Sequence, residues 1–270
     1  MEEQHIERVR ESWRKVLGAP EAFRAPGTVV VARRVGRSEG QRWLTVVSLG
    51  RSRCVLAPAD LAGDLDRLIA GRLADPTEAR AMLGRSIGVL GPATLAFTAT
   101  EPPAHGHPDP PGDGNPEPHG HGNPRPRGNG NPEASAPRAT GPPEPGAAEL
   151  DVLGAACDPA DAAESALAAW THWIRVVREN DQVVAAAGAQ VWAGALAHVG
   201  VLTRPDRRRR GLGSAVAAAV LRDALAAGLV GQWRARAELT ASRRLAGSLG
   251  FVELGQQVSY ELAGSAAARR

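Results

Sequence analysis

Residues 101–149 constrain this chain more than any other feature of it. The run EPPAHGHPDPPGDGNPEPHGHGNPRPRGNGNPE is almost wholly Pro, Gly, Asn, His and charge, and Gly-Asn-Pro recurs in it at 114, 122 and 130. A segment this poor in large apolar side chains buries too little surface to offset the entropy of ordering it, so a disordered linker is expected. Its two His-Gly-His triplets, at 105–107 and 119–121, carry metal-ligand chemistry on a backbone expected to fix no geometry, and no metal site is assigned. A fold must then be assembled from residues 1–100 and 150–264, with a tail at 265–270.

With 270 residues and 43% hydrophobic content, the two segments have enough apolar surface for one or two cores. The formal net charge is +3, and Lys15 is the single lysine, so charge alone gives no argument for nucleic acid. Cys54 and Cys157 lie too far apart for a zinc motif and are too few for a disulfide framework, which points to a reduced, cytoplasmic setting. The opening MEEQHIERVRESW lacks the apolar stretch of a signal peptide. Residues 183–203, VVAAAGAQVWAGALAHVGVLT, carry no full charge, yet Ala and Gly dominate and Gln190 and His198 interrupt them. Two buried strands joined at Ala193-Gly194 explain the stretch better than a membrane span.

In the first segment Ile6, Val9, Trp13 and Val16 mark a helix ending near Gly18. GTVVVARRV, RWLTVVSLG and RCVLAP read as strands, Asp60 and Thr77 as helix caps, and IGVLG and TLAFTAT as two short strands. No chemical motif appears there. In the second segment a helix at Asp161–Trp170 precedes a meander of WIRVVRE, VVAAAGAQVW and ALAHVGVLT. A helix through Leu212, Val216 and Val220 follows, then the strand WRARAEL, a helix over Ala241–Leu249, and the strands FVELG and VSYEL. The order is β-β-β-α-β-α-β-β.

The stretch DRRRRGLGSAVAAAVL, residues 206–221, sets four arginines directly before a helix. A helix start leaves N–H groups unpaired and carries partial positive charge, glycine lets an oxyanion approach the backbone, and arginine adds charge-assisted hydrogen bonds. A P-loop fails because no lysine follows the glycines. A dinucleotide fingerprint would want a small residue where Val216 stands, although Glu238 could serve as its ribose-binding acid. A cluster without aromatic platforms or a recognition helix does not make a nucleic-acid surface. A phosphate cradle and a merely solvated turn remain.

The loop and the element order together resemble the GNAT-type N-acetyltransferase superfamily. Arg208-Arg209-Arg210-Gly211-Leu212-Gly213 matches that family's phosphate loop, His198-Val199-Gly200-Val201-Leu202-Thr203 looks like its splayed fourth strand, and Ser242 followed by Leu249-Gly250-Phe251 resembles its later segment. The resemblance spans roughly residues 172–262. It implies an α/β fold of the α+β type, with a mixed, mostly antiparallel sheet flanked by helices and the N-terminal α/β region packed on it as a degenerate or partial GNAT-like half. It also implies acetyl-CoA as cofactor and coenzyme A as product. Val201, Leu202 and Thr203 would hold the pantetheine arm; Arg208, Arg209, Arg210, Gly211, Leu212, Gly213 and Ser214 would hold the pyrophosphate; and Ser242 would lie beside it. The implied partner is a small-molecule or peptide amine, taken by a monomer or homodimer that engages neither nucleic acid nor membrane.

Three positions depart from the family pattern. Leu239 stands where Asn is frequent, Ala246 where a tyrosine acid is common, and Ala197 where some members carry a glutamate base. The candidate bases are His198, which titrates near neutrality, and Glu238 at the end of the fifth strand. Strand alternation sets His198 on the face opposite Ala197, and an ion pair with Arg234 and Arg236 is the competing reading of Glu238. Tyr260, the single tyrosine, is expected to pack. A catalytically idle acyl-CoA-binding or regulatory domain is the alternative to an enzyme, and a dinucleotide-binding protein stands behind both.

Overall fold

The computed structural model describes residues 2–32, 42–64, 73, 75–83, 86–103 and 145–262. The 104–144 part of the expected linker, with both His-Gly-His triplets, lies outside the described residues.

The amphipathic N-terminal pattern forms α1 (Glu3–Leu17), which buries Val9, Trp13 and Leu17 and ends at Gly18 with φ of 59°. The strands β1 (Gly27–Ala32), β2 (Trp43–Leu49) and β3 (Ser52–Ala57) follow. Residues 59–64, the start of the helix expected from Asp60, form a 3-10 turn, and 65–72 lie outside the described residues. The next helix, α2 (Pro76–Leu83), is capped by Asp75 rather than by Thr77: the Asp75 carboxylate accepts the N–H groups of Thr77 at 2.8 Å and Glu78 at 3.1 Å. IGVLG and TLAFTAT are one strand, β4 (Ser86–Thr98). The Gly91-Pro92 step that reads as a break is absorbed by a register shift between Leu90 and Ala93.

After residue 144 a helix that the sequence reading did not anticipate, α3 (Ala147–Ala155), begins where the Glu149 carboxylate accepts the N–H of Gly146 at 2.9 Å. The expected helix at Asp161–Trp170 is α4 (Pro159–Ser165) and a 3-10 turn, Leu167–Ala169. The meander is β5 (His172–Glu179), β6 (Gln182–Trp192) and β7 (Leu196–Thr203), so the uncharged 183–203 stretch is a strand pair turning at Ala193-Gly194. No helix among the described residues is long and apolar enough to cross a membrane. Then come α5 (Leu212–Ala226), β8 (Val230–Arg236) and α6 (Thr240–Ser248). FVELG and VSYEL are one strand, β9 (Val252–Leu262), so the order is β-β-β-α-β-α-β. Gly255 does not break β9; a Cβ there would run into the Ser48 carbonyl oxygen, so the glycine permits close pairing with β2.

The nine strands among the described residues form one sheet in the order β1-β3-β2-β9-β4-β8-β7-β6-β5, antiparallel except at β1–β3 and β7–β8. The sheet is mixed and flanked by helices, with the N-terminal region joined to it. That joining goes further than packing: β4 lies between β8 and β9, and β2 pairs with the other edge of β9. The helices α5 and α6 cover one face, over Val199, Trp233 and Ala235. On the other face α1 packs over Leu95, Phe97 and Leu196, and α3 covers Ala186 and Leu202.

Candidate active site

The strands β7 and β8 pair only from Leu196–Val230 to His198–Gln232. Beyond that rung they part, while β7 stays paired with β6 as far as Thr203. The Arg204 N–H donates to the Val184 carbonyl at 2.9 Å, so antiparallel alternation directs Leu202 and Gly200 toward β6. The backbone groups of Val199, Val201 and Thr203 therefore turn into the gap. A cleft of about 730 Å³ fills this opening.

The mouth of the cleft is the start of α5. Gly211, with φ of 77°, and Arg209, with φ of 61°, turn the chain sharply into the helix. The Ala215 N–H is bonded to the Gly211 carbonyl at 3.0 Å, but none of the N–H groups from Arg209 to Ser214 has an acceptor among the described residues. Unpaired donors and the positive end of the helix thus converge on the cleft. A Cβ on Gly213 would stand 2.9 Å from the Thr203 hydroxyl oxygen, so this glycine lets the helix lie close on β7. A Cβ on Gly211 would meet nothing within 4 Å, and what that position demands is the left-handed turn.

The four arginines divide. Arg207 bonds Glu179 and Asp206, both at 2.7 Å, and Arg210 reaches Glu179 at 3.3 Å. Arg208 bonds Asp161 at 2.8 Å and the Thr203 carbonyl at 3.2 Å. Arg209 has no partner among the described residues and lines the cleft.

Of the residues selected from sequence, Val201, Leu202, Thr203, Arg208, Arg209, the Gly211–Ser214 turn, Ser242, His198 and Glu238 all line this cleft, whereas Arg210 does not. The Ser242 hydroxyl accepts the Trp233 indole N–H at 3.0 Å. His198 is 8% exposed, and its ring lies 4.8 Å from that of Trp192. Burial, then the Arg234 charge, push its pKa down to about 3, against a hydrogen bond to the Gln232 backbone. A neutral imidazole so reluctant to take a proton is a poor general base. Glu238 is exposed at the rim, 3.7 Å from the Arg236 guanidinium. Tyr260 is fully buried, donates to the Leu73 carbonyl at 2.6 Å and is pushed up to about 12, chiefly by burial.

Sequence reasoning missed the wall supplied by α4: Asp161, Glu164 and Ser165. Glu164 accepts the Arg236 backbone N–H at 2.9 Å and pairs with its guanidinium at 3.3 Å, tying α4 to β8 across the gap. The Trp170 indole N–H donates to the Ser165 carbonyl at 3.0 Å, and a Cβ on Gly200 would run into both groups. Two signals were legible. Asp158-Pro159 starts a helix, with the Asp158 carboxylate accepting the Ala160 N–H at 2.8 Å, and Gly200 inside a strand marks a close approach.

The fold is that of a mixed α/β sheet opened between two parallel strands, and together with the family match below it supports an acetyltransferase. Residues 175–260 match the model of the GNAT acetyltransferase family. Among solved structures, a GNAT-family protein from Novosphingobium aromaticivorans is 22% identical, with 67% of each chain covered and a TM-score of 0.43. An acetyltransferase of the GNAT family from Colwellia psychrerythraea is 10% identical, with 68% of this chain and 61% of that one covered and a TM-score of 0.40. A GCN5-related N-acetyltransferase from Kribbella flavida is 17% identical, with 74% and 69% covered and a TM-score of 0.38. No curated protein matches the chain.

Proposed function

We propose that the protein is an acetyl-CoA-dependent N-acetyltransferase that moves the acetyl group to a primary amine by direct attack in a ternary complex. The observation that carries this reading is the meeting of two backbone features in one cleft: the unaccepted N–H groups of Arg209–Ser214, and the gap-facing backbone of Val201 with the N–H of Thr203, whose carbonyl Arg208 holds. The first suits a pyrophosphate, and the second pairs with an extended amide-bearing arm as a further strand would. Arg209 adds a guanidinium to the phosphate end. When bound, acetyl-CoA supplies a thioester whose C–S bond breaks as the C–N bond forms, one proton leaving the amine and one joining the thiolate. Glu238 is the carboxylate at the rim that takes the amine proton and passes it to solvent. Calorimetric titration with acetyl-CoA, followed by thiol release with an amine panel, tests the proposal; absence of binding overturns it.

One observation favours the second reading, a catalytically idle acyl-CoA-binding domain. The single tyrosine is locked in the core by the Leu73 carbonyl, so no phenol in the cleft can return a proton to the thiolate. Acetyl-CoA binding without thiol release on any amine would select this reading.

A further inference from the structure

Two cavities adjoin α6, and one side chain stands between them. The cleft lies on the β7 side of β8 and takes Ser242 and Leu245 from α6. A second cavity, of about 240 Å³, lies on the β4 side of β8 and takes Arg243, Ala246 and Gly247 from the same helix. Small and apolar groups line much of the rest of it: Thr94 and Ala96 from β4, Ala235 from β8, and Phe251. Glu253, bonded to Arg243 at 2.7 and 2.9 Å, completes the lining. Among the described residues Trp233 alone lines both cavities.

Trp233 is held in place from two sides. Its indole N–H donates to the Ser242 hydroxyl at 3.0 Å, and Phe251 packs edge-on to it at 5.5 Å. The side chain is buried, in one cluster with Val199, Ala96 and Ala246. A ring fixed by a hydrogen bond inside a close-packed core does not swing aside cheaply. Trp233 is also the first residue of β8 beyond the His198–Gln232 rung, where β7 and β8 part. Strand alternation sets it on the α6 face, opposite Gln232 and Arg234.

The acetyltransferase reading above runs an amide-bearing arm from the start of α5 along Thr203 and Val201 toward that rung, so its acyl end falls beside Trp233. On the other face the closed end is walled by His198, Arg234 and Glu164. An alkyl chain there would strip water from polar groups and return no hydrogen bond. The space suited to methylene groups is the second cavity, and Trp233 bars it. Resting on the acetyltransferase reading, we infer that Trp233 restricts the acyl donor to a short chain, and that the cavity behind it is a closed-off site for the chain of a medium-length acyl-CoA.

Calorimetric titration of the full chain with acetyl-CoA and with hexanoyl-CoA tests this without an acceptor amine or turnover. Wild type should bind hexanoyl-CoA at least tenfold more weakly than acetyl-CoA, because a fixed wall turns the extra methylenes into a clash. Trp233→Leu removes the wall and should shift the ratio of the two affinities at least tenfold toward hexanoyl-CoA, since each methylene buried is worth about a fourfold change. Adding Ala246→Phe, which refills the cavity, should cancel that shift. Equal wild-type affinities, an unshifted ratio in a folded Trp233→Leu protein, or a shift that survives in the folded double variant overturns this inference and leaves the acetyltransferase reading standing. If Trp233→Leu does not fold, the wild-type comparison decides alone. Failure of the wild type to bind acetyl-CoA removes the acetyltransferase reading and this inference together.

Discussion

Gly213 sits so tightly beneath Thr203 that a Cβ on it would stand 2.9 Å from the threonine hydroxyl oxygen, with Val201 Cγ2 at 3.6 Å. The start of α5 is thereby held against the part of β7 whose backbone faces the cleft. Gly213→Val should push the helix off the strand. Overpacking of this kind costs about 1–3 kcal/mol, and the displaced N–H groups should weaken acetyl-CoA binding about tenfold, roughly 1.4 kcal/mol. Gly211→Asp adds charge without a clash, at the cost of a side chain on a left-handed residue with φ of 77°. It sets a carboxylate in the open space before the N–H groups and should lower affinity more than tenfold while the fold survives. Chemical denaturation and calorimetry on both variants check this.

The arginines give a second contrast. Arg207 and Arg210 are tied to Glu179, whereas Arg209 alone of the four has no partner among the described residues. Arg209→Ala should weaken acetyl-CoA binding at least tenfold, the scale of one hydrogen bond to a charged group at about 1.5–3 kcal/mol, and the deficit should shrink at high salt. Arg207→Ala should leave affinity within twofold. Equal losses in the two variants would mean that the cluster acts as a diffuse charge.

His198 makes stability depend on pH in a stated direction. Its pKa falls from 6.5 in the unfolded chain to about 3 in the fold, chiefly through burial. Between those values the unfolded chain binds the extra proton, so the contribution is fully present above about 6.5 and is lost as pH falls toward 3. The slope approaches roughly 1.4 kcal/mol per pH unit. Glu253, held below the usual carboxylate range mainly by its hydrogen bond to Arg243, acts in the same sense at lower pH. Urea unfolding of wild type and His198→Asn at several values between pH 4.5 and 6.5 isolates the histidine: the variant should lose most of the slope. Parallel slopes would show that the imidazole is not buried as described.

What the sequence made legible was local chemistry, and what it hid was pairing between distant segments. The Arg-Arg-Gly-Leu-Gly turn was legible because left-handed backbone and a helix start leave a mark in glycine spacing, and Gly211 indeed has φ of 77°. Residues 198–203 were placed on the cleft by their position before that turn. Gly91-Pro92 and Gly255 misled, because the same residues that end a strand also permit a bulge or a close neighbour, and only the partner strand decides between them. The state of His198 was hidden for a related reason: the imidazole of a model peptide titrates near neutrality, and it is burial, with Trp192 against the ring, and then the Arg234 charge that hold it neutral, against the bond to the Gln232 backbone. Glu164 was invisible because its partner, Arg236, lies 72 residues away.

The same long-range pairing gives the last prediction. Among the C-terminal strands β9 has no neighbour: it is bonded to β4 on one edge and β2 on the other, and β4 alone joins it to β8. Residues 145–262 by themselves would keep β5 to β8, with the whole edge of β8 that β4 covers, from Gly231 to Arg236, left open, and β9 would be without a ladder. An open edge of that kind recruits other chains. Expressed alone, the fragment should aggregate or bind acetyl-CoA poorly, because Trp233 and Ser242, which line the cleft, sit on β8 and on the helix that leads into β9. Residues 1–103 added in trans should restore solubility and acetyl-CoA binding, without residues 104–144. Light scattering and calorimetry on the fragment, with and without the complementing piece, decide the matter: a monomeric fragment that binds acetyl-CoA at wild-type affinity would mean that β4 is dispensable to the cleft.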